Sequence, residues 1–294
     1  MNPNSSPHPL AAHLPFNRES LAGQFLPAKN GDPPADQRGT WLLVQENALL
    51  VFETDGEGGW RLPHGPLPEG FDGKVTPIIH LGTYQGAPCW AAAVPAGARI
   101  PPGFQRESLL PAQTRLTDTV LSLGGLALQA IHWETTSLHC PRCGAKTSHI
   151  PGEWGKRCPE CAHEHYPHLH PAVIVLVREG DRVLLTRKSF WAKGRYGLIA
   201  GFVDVGESLE GAVQREVQEE VGVEIRDLQY VASQYWPFPS QLMVGFTAVY
   251  SHGVLQVNRH ELEDACWFSV HNLPDLPPRL SIARFLIDHF AVPR

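Results

Sequence analysis

The first third of the chain alternates short apolar runs with turn residues. Residues 41–44, 48–52, 78–81 and 89–94 read as strands, and 55–59 and 62–66 between them as loops, which predicts a small β-rich domain. Between residues 116 and 134 the pattern turns helical, with Leu121, Ala127, Leu128 and Ile131 on one stripe; Gly124-Gly125 argues against an unbroken helix there. Further on, 172–177 is a continuous β-branched run of the kind buried on both faces, 183–186 is its hairpin partner, and 196–200 is a third strand. Strands are also predicted at 228–233, 242–250 and 265–268, with a final helix over 281–290.

The segment between Gly201 and Val223 has a different texture. From Ser208 to Val221 it contains no Pro and only Gly211, and Leu209, Ala212, Val213 and Val217 recur at helical intervals. Ser208 is a suitable N-cap, and Gly222 stands where a helix C-terminal glycine belongs. Glu216, Glu219 and Glu220 stand at i, i+3 and i+4, where like charges repel by a few tenths of a kcal/mol per pair, roughly. A shared divalent cation converts that repulsion into coordination, and oxygen-only ligands suit Mg²⁺ or Mn²⁺. The competing reading is a solvated acidic helix face.

Composition narrows the class. With 294 residues, 43% hydrophobic and 18% charged, the chain reads as globular, long enough for two domains and a small module. A net charge of −6 argues against a general grip on nucleic acid, and DNA is not an expected partner. No apolar run approaches the roughly 20 residues of a membrane span. The start shows no basic region followed by an apolar stretch, so a cytoplasmic location is expected. Residues 1–39, with repeated Pro and Gly, read as a flexible leader.

Of six cysteines, Cys89 and Cys266 stand alone in apolar surroundings and read as small core residues. The other four form Cys140-Pro-Arg-Cys143 and Cys158-Pro-Glu-Cys161, separated by fourteen residues. Two such knuckles fit one tetrahedral structural Zn²⁺, with disulfides as the alternative. The expected organisation is therefore a leader (1–39), a β-rich domain with helical connector (40–135), a zinc ribbon (136–167) and a catalytic domain (168–294).

Gly201, Glu207, Arg215-Glu216-Val217, Glu219-Glu220 and Gly222-Val223 resemble the Nudix box at every defined position. Downstream, Ser233-Gln234-Tyr235-Trp236-Pro237-Phe238-Pro239-Ser240-Gln241-Leu242-Met243 resembles the S-Q-P-W-P-F-P-Q-S-L-M signature of the NADH pyrophosphatase family, also described as NAD-cap-removing RNA hydrolases. It departs at Tyr235, Ser240 and Gln241. The resemblance implies an α+β chain: a Nudix α/β/α sandwich preceded by a four-cysteine zinc ribbon and a β-rich N-terminal domain. It implies metal-dependent hydrolysis of the pyrophosphate of NAD(H), or of the NAD cap of RNA, by a homodimer.

Carried over residue by residue, Glu216, Glu219 and Glu220 hold the catalytic metal, with Glu220 as base or ligand. Glu261 is a distal metal ligand, with Glu263 the alternative if the register slips. Glu207 orders the loop and Arg215 pairs with it. Phe202, Tyr166, Gln234, Trp236, Phe238 and Ala283 contact the substrate. Two other activities stay open at this stage. One is a Nudix hydrolase for ADP-ribose or another nucleoside diphosphate derivative; the other is a silent nucleotide or RNA binder, which the complete set of box glutamates disfavours.

Overall fold

A computed structural model describes residues 13–28, 36–53, 59–71, 73–111 and 115–292. The chain divides into two compact units, one of residues up to Asn17 with His170–Trp236 and Gln241–Arg294, the other of Arg18–Leu169 with Pro237–Ser240. No helix among the described residues is long and apolar enough to cross a membrane.

The Arg18–Leu169 unit starts with a 3₁₀ turn (Arg18–Leu21) and continues through β1 (Phe25–Pro27), β2 (Gly39–Gln45), β3 (Ala48–Glu53), β4 (Trp60–Arg61), β5 (His64–Gly65), β6 (Ile78–Tyr84), β7 (Ala87–Ala93) and β8 (Phe104–Ser108). These form one sheet in the order β1-β6-β7-β2-β3-β4, with β5 on β2 and β8 on β3. Its core holds Trp41 and Trp90, stacked with ring centroids 5.9 Å apart. Helix α1 (Asp118–Thr136) runs unbroken through Gly124-Gly125. The glycine that weakens the prediction of a helix is needed for packing: a Cβ on Gly124 would lie 2.6 Å from Leu109 and 2.8 Å from Leu49.

The ribbon follows, with three two-residue strands, β9 (Ser148–His149), β10 (Lys156–Arg157) and β11 (Glu164–His165), paired in the order β11-β10-β9. Buried Lys156 donates to the Glu134 carboxylate at 2.9 Å.

The second unit is built on a six-stranded sheet of β12 (His170–Glu179), β13 (Arg182–Arg187), β14 (Ile199–Phe202), β15 (Val223–Trp236), β16 (Gln241–Gly253) and β17 (Asp264–Ser269). The order is β15-β16-β12-β13-β17, with β14 on β12; β12 and β16 run parallel and the other pairs antiparallel. The apolar run of β12 serves both faces, as side chains alternate along a strand. Val173, Val175 and Val177 pack with Ala212, Val213 and Val217 of helix α2 (Leu209–Val221). Ile174 and Leu176 pack with Ile282, Phe285 and Leu286 of helix α3 (Ile282–Phe290). Helix, sheet and helix make the expected sandwich.

The flexible leader needs correcting over its described part. Leu14, Phe16, Leu21 and Phe25 are buried, and β1 pairs with β6. Leu14 joins the α3-side core of the sandwich unit. Asn17 behaves as an extra residue against edge strand β15: its Nδ2 donates to Ser233 O at 3.0 Å, and its Oδ1 accepts from Tyr235 N at 2.8 Å. Composition cannot reveal this, because the partners lie more than 200 positions along the chain. Residues 1–12 and 29–35 of that leader, and 55–58 of the predicted loop at 55–59, lie outside the described residues.

Candidate active site

Strand β14 ends at Phe202 and delivers the chain into the turn before α2. Ser208 caps that helix, its Oγ accepting from Gly211 N, and Gly222 closes it in the left-handed conformation (φ 70°). Gly201 has a steric reason: a Cβ there would lie 1.9 Å from the Glu216 carboxyl carbon. Its absence lets that carboxylate lie against β14.

A helix advances about 100° per residue, so Glu216 and Glu220 share a line along α2 while Glu219 is rotated off it. The structure follows this. Carboxylate oxygens of Glu216, Glu220 and Glu261 all lie within 4.8 Å of one another. Glu219, half exposed, is turned away to accept from Arg215 Nη1 at 3.0 Å and stays outside that cluster.

Glu261 is brought in by its loop. Asn258 N donates to Glu220 O at 2.9 Å, tying the loop to the end of α2, and Asn258 Nδ2 holds Glu261 Oε1 at 3.0 Å. Glu263 faces Arg187 instead, its Oε2 2.8 Å from Nε.

Arg215 is the organiser of the loop. Its Nε and Nη2 donate to the two carboxylate oxygens of Glu207 at 2.9 Å each, Nη1 also reaches Glu216 at 2.7 Å, and Nη2 donates to Phe202 O at 2.8 Å. Glu207 in turn accepts from Asp204 N at 3.0 Å. Arg215 holds the Glu207 carboxyl below its ordinary range, and Glu207 foremost raises the guanidinium.

These residues open on a cleft of about 440 Å³, lined by Lys188, Phe202, Arg215, Glu220, Met243 and Glu261 among others. Glu220 is 1% exposed, and its Oε2 has no hydrogen-bond partner. Burial pushes its carboxyl up to about 7; Lys188 opposes the shift, and Glu216 and Glu261 add to it. A buried, unpartnered carboxylate oxygen beside two more carboxylates is a donor set of the kind hard divalent cations take, so the residues fit such an ion.

The expected substrate contacts divide. Phe202 lies at the cleft with 53% of its surface exposed. Trp236 ends β15, and Phe16 meets it edge-on at 5.6 Å. Gln234 is a correction. It is 0% exposed, its Nε2 donates to Pro15 O and Leu280 O at 2.8 Å, and its Oε1 accepts from Ile282 N at 2.7 Å. Those bonds and its complete burial commit its amide to backbone and turn it from a ligand. The Ala283 side chain packs into the α3 core, and the substrate contact expected of Ala283 is one made by its backbone. Tyr166 belongs to the other unit, its hydroxyl held by Glu153 and Glu164 of the ribbon at 2.9 and 3.1 Å; partly buried Phe238 belongs there as well. Sequence reading missed Lys188 and Met243 as lining residues. Lys188 follows β13 outside any motif, and only the hairpin register brings it beside α2.

The four ribbon cysteines are free thiols whose sulfurs lie within 4.8 Å of one another. Cys140–Cys161 is 3.7 Å and Cys143–Cys158 3.4 Å. A tetrahedron of thiolates at about 2.3 Å from Zn²⁺ has edges of about 3.8 Å, so the set fits structural zinc and no disulfide.

Comparison with known proteins gives three family matches. Residues 168–288 match the NUDIX domain, 136–166 the NADH pyrophosphatase zinc ribbon domain, and 38–133 the NADH pyrophosphatase-like rudimentary NUDIX domain. The chain is 46% identical over 285 residues to the NAD-capped RNA hydrolase NudC of Pseudomonas aeruginosa (strain LESB58), covering 93% of this chain and 96% of that one. It is 36% identical over 269 residues to the protein of that name from Pseudomonas fluorescens, covering 86% and 96%. The Deinococcus radiodurans protein of that name is 36% identical over 259 residues, covering 87% and 88%.

Proposed function

Because the chain belongs to the NADH pyrophosphatase and NAD-capped RNA hydrolase family of Nudix enzymes, we propose that it hydrolyses the pyrophosphate bond of NAD(H) to nicotinamide mononucleotide and AMP, and removes the NAD cap from RNA to leave a 5′-monophosphate. The observation that carries this reading is the convergence of Glu216, Glu220 and Glu261 on one cleft, with Glu220 Oε2 unpartnered.

Glu216, Glu220 and Glu261 hold Mg²⁺ or Mn²⁺, with Glu219 at the margin through its bond to Arg215. When bound, the ion offsets pyrophosphate charge and makes water a better nucleophile. Glu220, its carboxyl pushed up to about 7 by burial, would in its ionised form serve as a ligand to that ion or as the base that takes a proton from the attacking water. Arg215 and Glu207 fix the turn after β14, which holds the Phe202 backbone and presents its ring to a flat base or nicotinamide. Trp236, and separately Phe238 and Tyr166, each offer a ring to a flat base or nicotinamide, Phe238 being stiffened by Pro237 and Pro239; the enzyme is a cytoplasmic homodimer.

The test compares NADH, NAD⁺, ADP-ribose and a short 5′-NAD-RNA in Mg²⁺ or Mn²⁺, with Glu220→Gln as control. Cleavage of the dinucleotides or the capped RNA, lost in the variant, supports the proposal. Preference for ADP-ribose moves the function to another nucleoside diphosphate, and absence of metal-dependent turnover leaves a binding protein.

A further inference from the structure

The cleft contains more fixed negative charge than its visible cations balance, and its substrate adds more. Glu216, Glu220 and Glu261 converge within 4.8 Å, and Asp204 lies on the same wall. Two lining residues are cationic, Lys188 and Arg215. They differ in what they have left to give. Every N–H direction of the Arg215 guanidinium is occupied, by Glu207, Glu216, Glu219 and the Phe202 carbonyl. Lys188 has its Nζ 4.0 Å from Glu220 Oε1, an ion-pair distance too long for a hydrogen bond. Its side chain is about a third exposed, and no hydrogen bond to its ammonium is formed among the described residues. An ammonium has three donors.

We propose that Lys188 is a diphosphate-binding residue: its ammonium donates to a non-bridging phosphate oxygen of the substrate held over the three glutamates. This rests on the reading of the cleft as a pyrophosphatase site. It adds a specific role for the segment after β13, which lies outside the box and outside the aromatic–proline motif. A point charge on a flexible stem suits an oxyanion whose position shifts as the bond breaks, and a charge-assisted bond of this kind is stronger than a neutral one. The competing role is purely local, with Lys188 only offsetting the charge of Glu220.

The two roles separate in the full-length, zinc-loaded protein. The probe is methylenediphosphonate, a non-hydrolysable diphosphate, titrated calorimetrically at saturating Mg²⁺ into wild type, Lys188→Met and Lys188→Arg. Diphosphate binding by Lys188 predicts affinity about tenfold to a hundredfold weaker in Lys188→Met and largely restored in Lys188→Arg. The Mg²⁺ titration is the second readout. A purely local role predicts that Lys188→Met binds Mg²⁺ more tightly, with diphosphate affinity at saturating Mg²⁺ unchanged, and that result overturns the proposal. Failure of the wild type to bind the probe also overturns it. The pyrophosphatase reading is judged separately, by whether wild type cleaves NADH.

Discussion

Gln234 is the residue on which sequence and structure diverge most sharply. The motif presents it as a ligand contact, yet its amide closes a junction between Pro15, Leu280 and Ile282. Gln234→Ala orphans two carbonyls and one N–H in a buried place, and urea denaturation is expected to show a loss of about 2–4 kcal/mol. The KM for NADH of the folded fraction stays unchanged. Glu220 gives a pH signature instead. Its carboxyl moves up from 4.5 to about 7, so the native state keeps this proton to higher pH than the unfolded chain does. Without added Mg²⁺ or Mn²⁺, that contribution to stability is complete below pH 4.5 and is lost as the pH rises through 7, about 3 kcal/mol in all. Denaturation at pH 5 and pH 8 checks it, because Glu220→Gln has no such proton to lose and should show a correspondingly flatter dependence. Added Mg²⁺ must displace the proton, so its affinity rises across the same window.

At the level of elements, the box was legible because each of its positions answers a local demand. Ser208 caps, Gly222 turns left-handed, and Gly201 clears space for Glu216. Gly201→Ala is the sharpest test. Its Cβ would meet the Glu216 carboxylate, while the backbone pairing of β14 with β12 stays possible. Turnover or metal affinity should drop about tenfold to a hundredfold, with an unchanged circular dichroism spectrum. The strands of the sandwich were legible too, because their apolar runs are buried on two faces. Two features escaped. Gly124-Gly125 weakened the sequence case for an unbroken helix, yet Gly124 is a packing contact, because propensity says nothing about what approaches a helix from outside. Lys188 escaped because no local pattern marks a residue whose neighbours are supplied by register.

On the scale of the whole chain, the zinc ribbon is a folding device made of four thiols and very short strands. Its strands are two residues long and its four thiols converge on one point, so metal binding supplies folding energy. Metal analysis should find one Zn²⁺ per chain, and Cys158→Ser should abolish it and expose residues 136–166 to rapid proteolysis. The sandwich unit has a different dependence: its α3-side core includes Leu14, and its edge strand is closed by Asn17, 216 positions before Ser233. On a ribosome adding about 5–20 residues per second, that segment emerges roughly 10–40 s before the strand that receives it. The segment carrying Leu14 and Asn17 thus waits for strand β15 and helix α3, made more than 200 positions later, and the unit closes only once both have been synthesised.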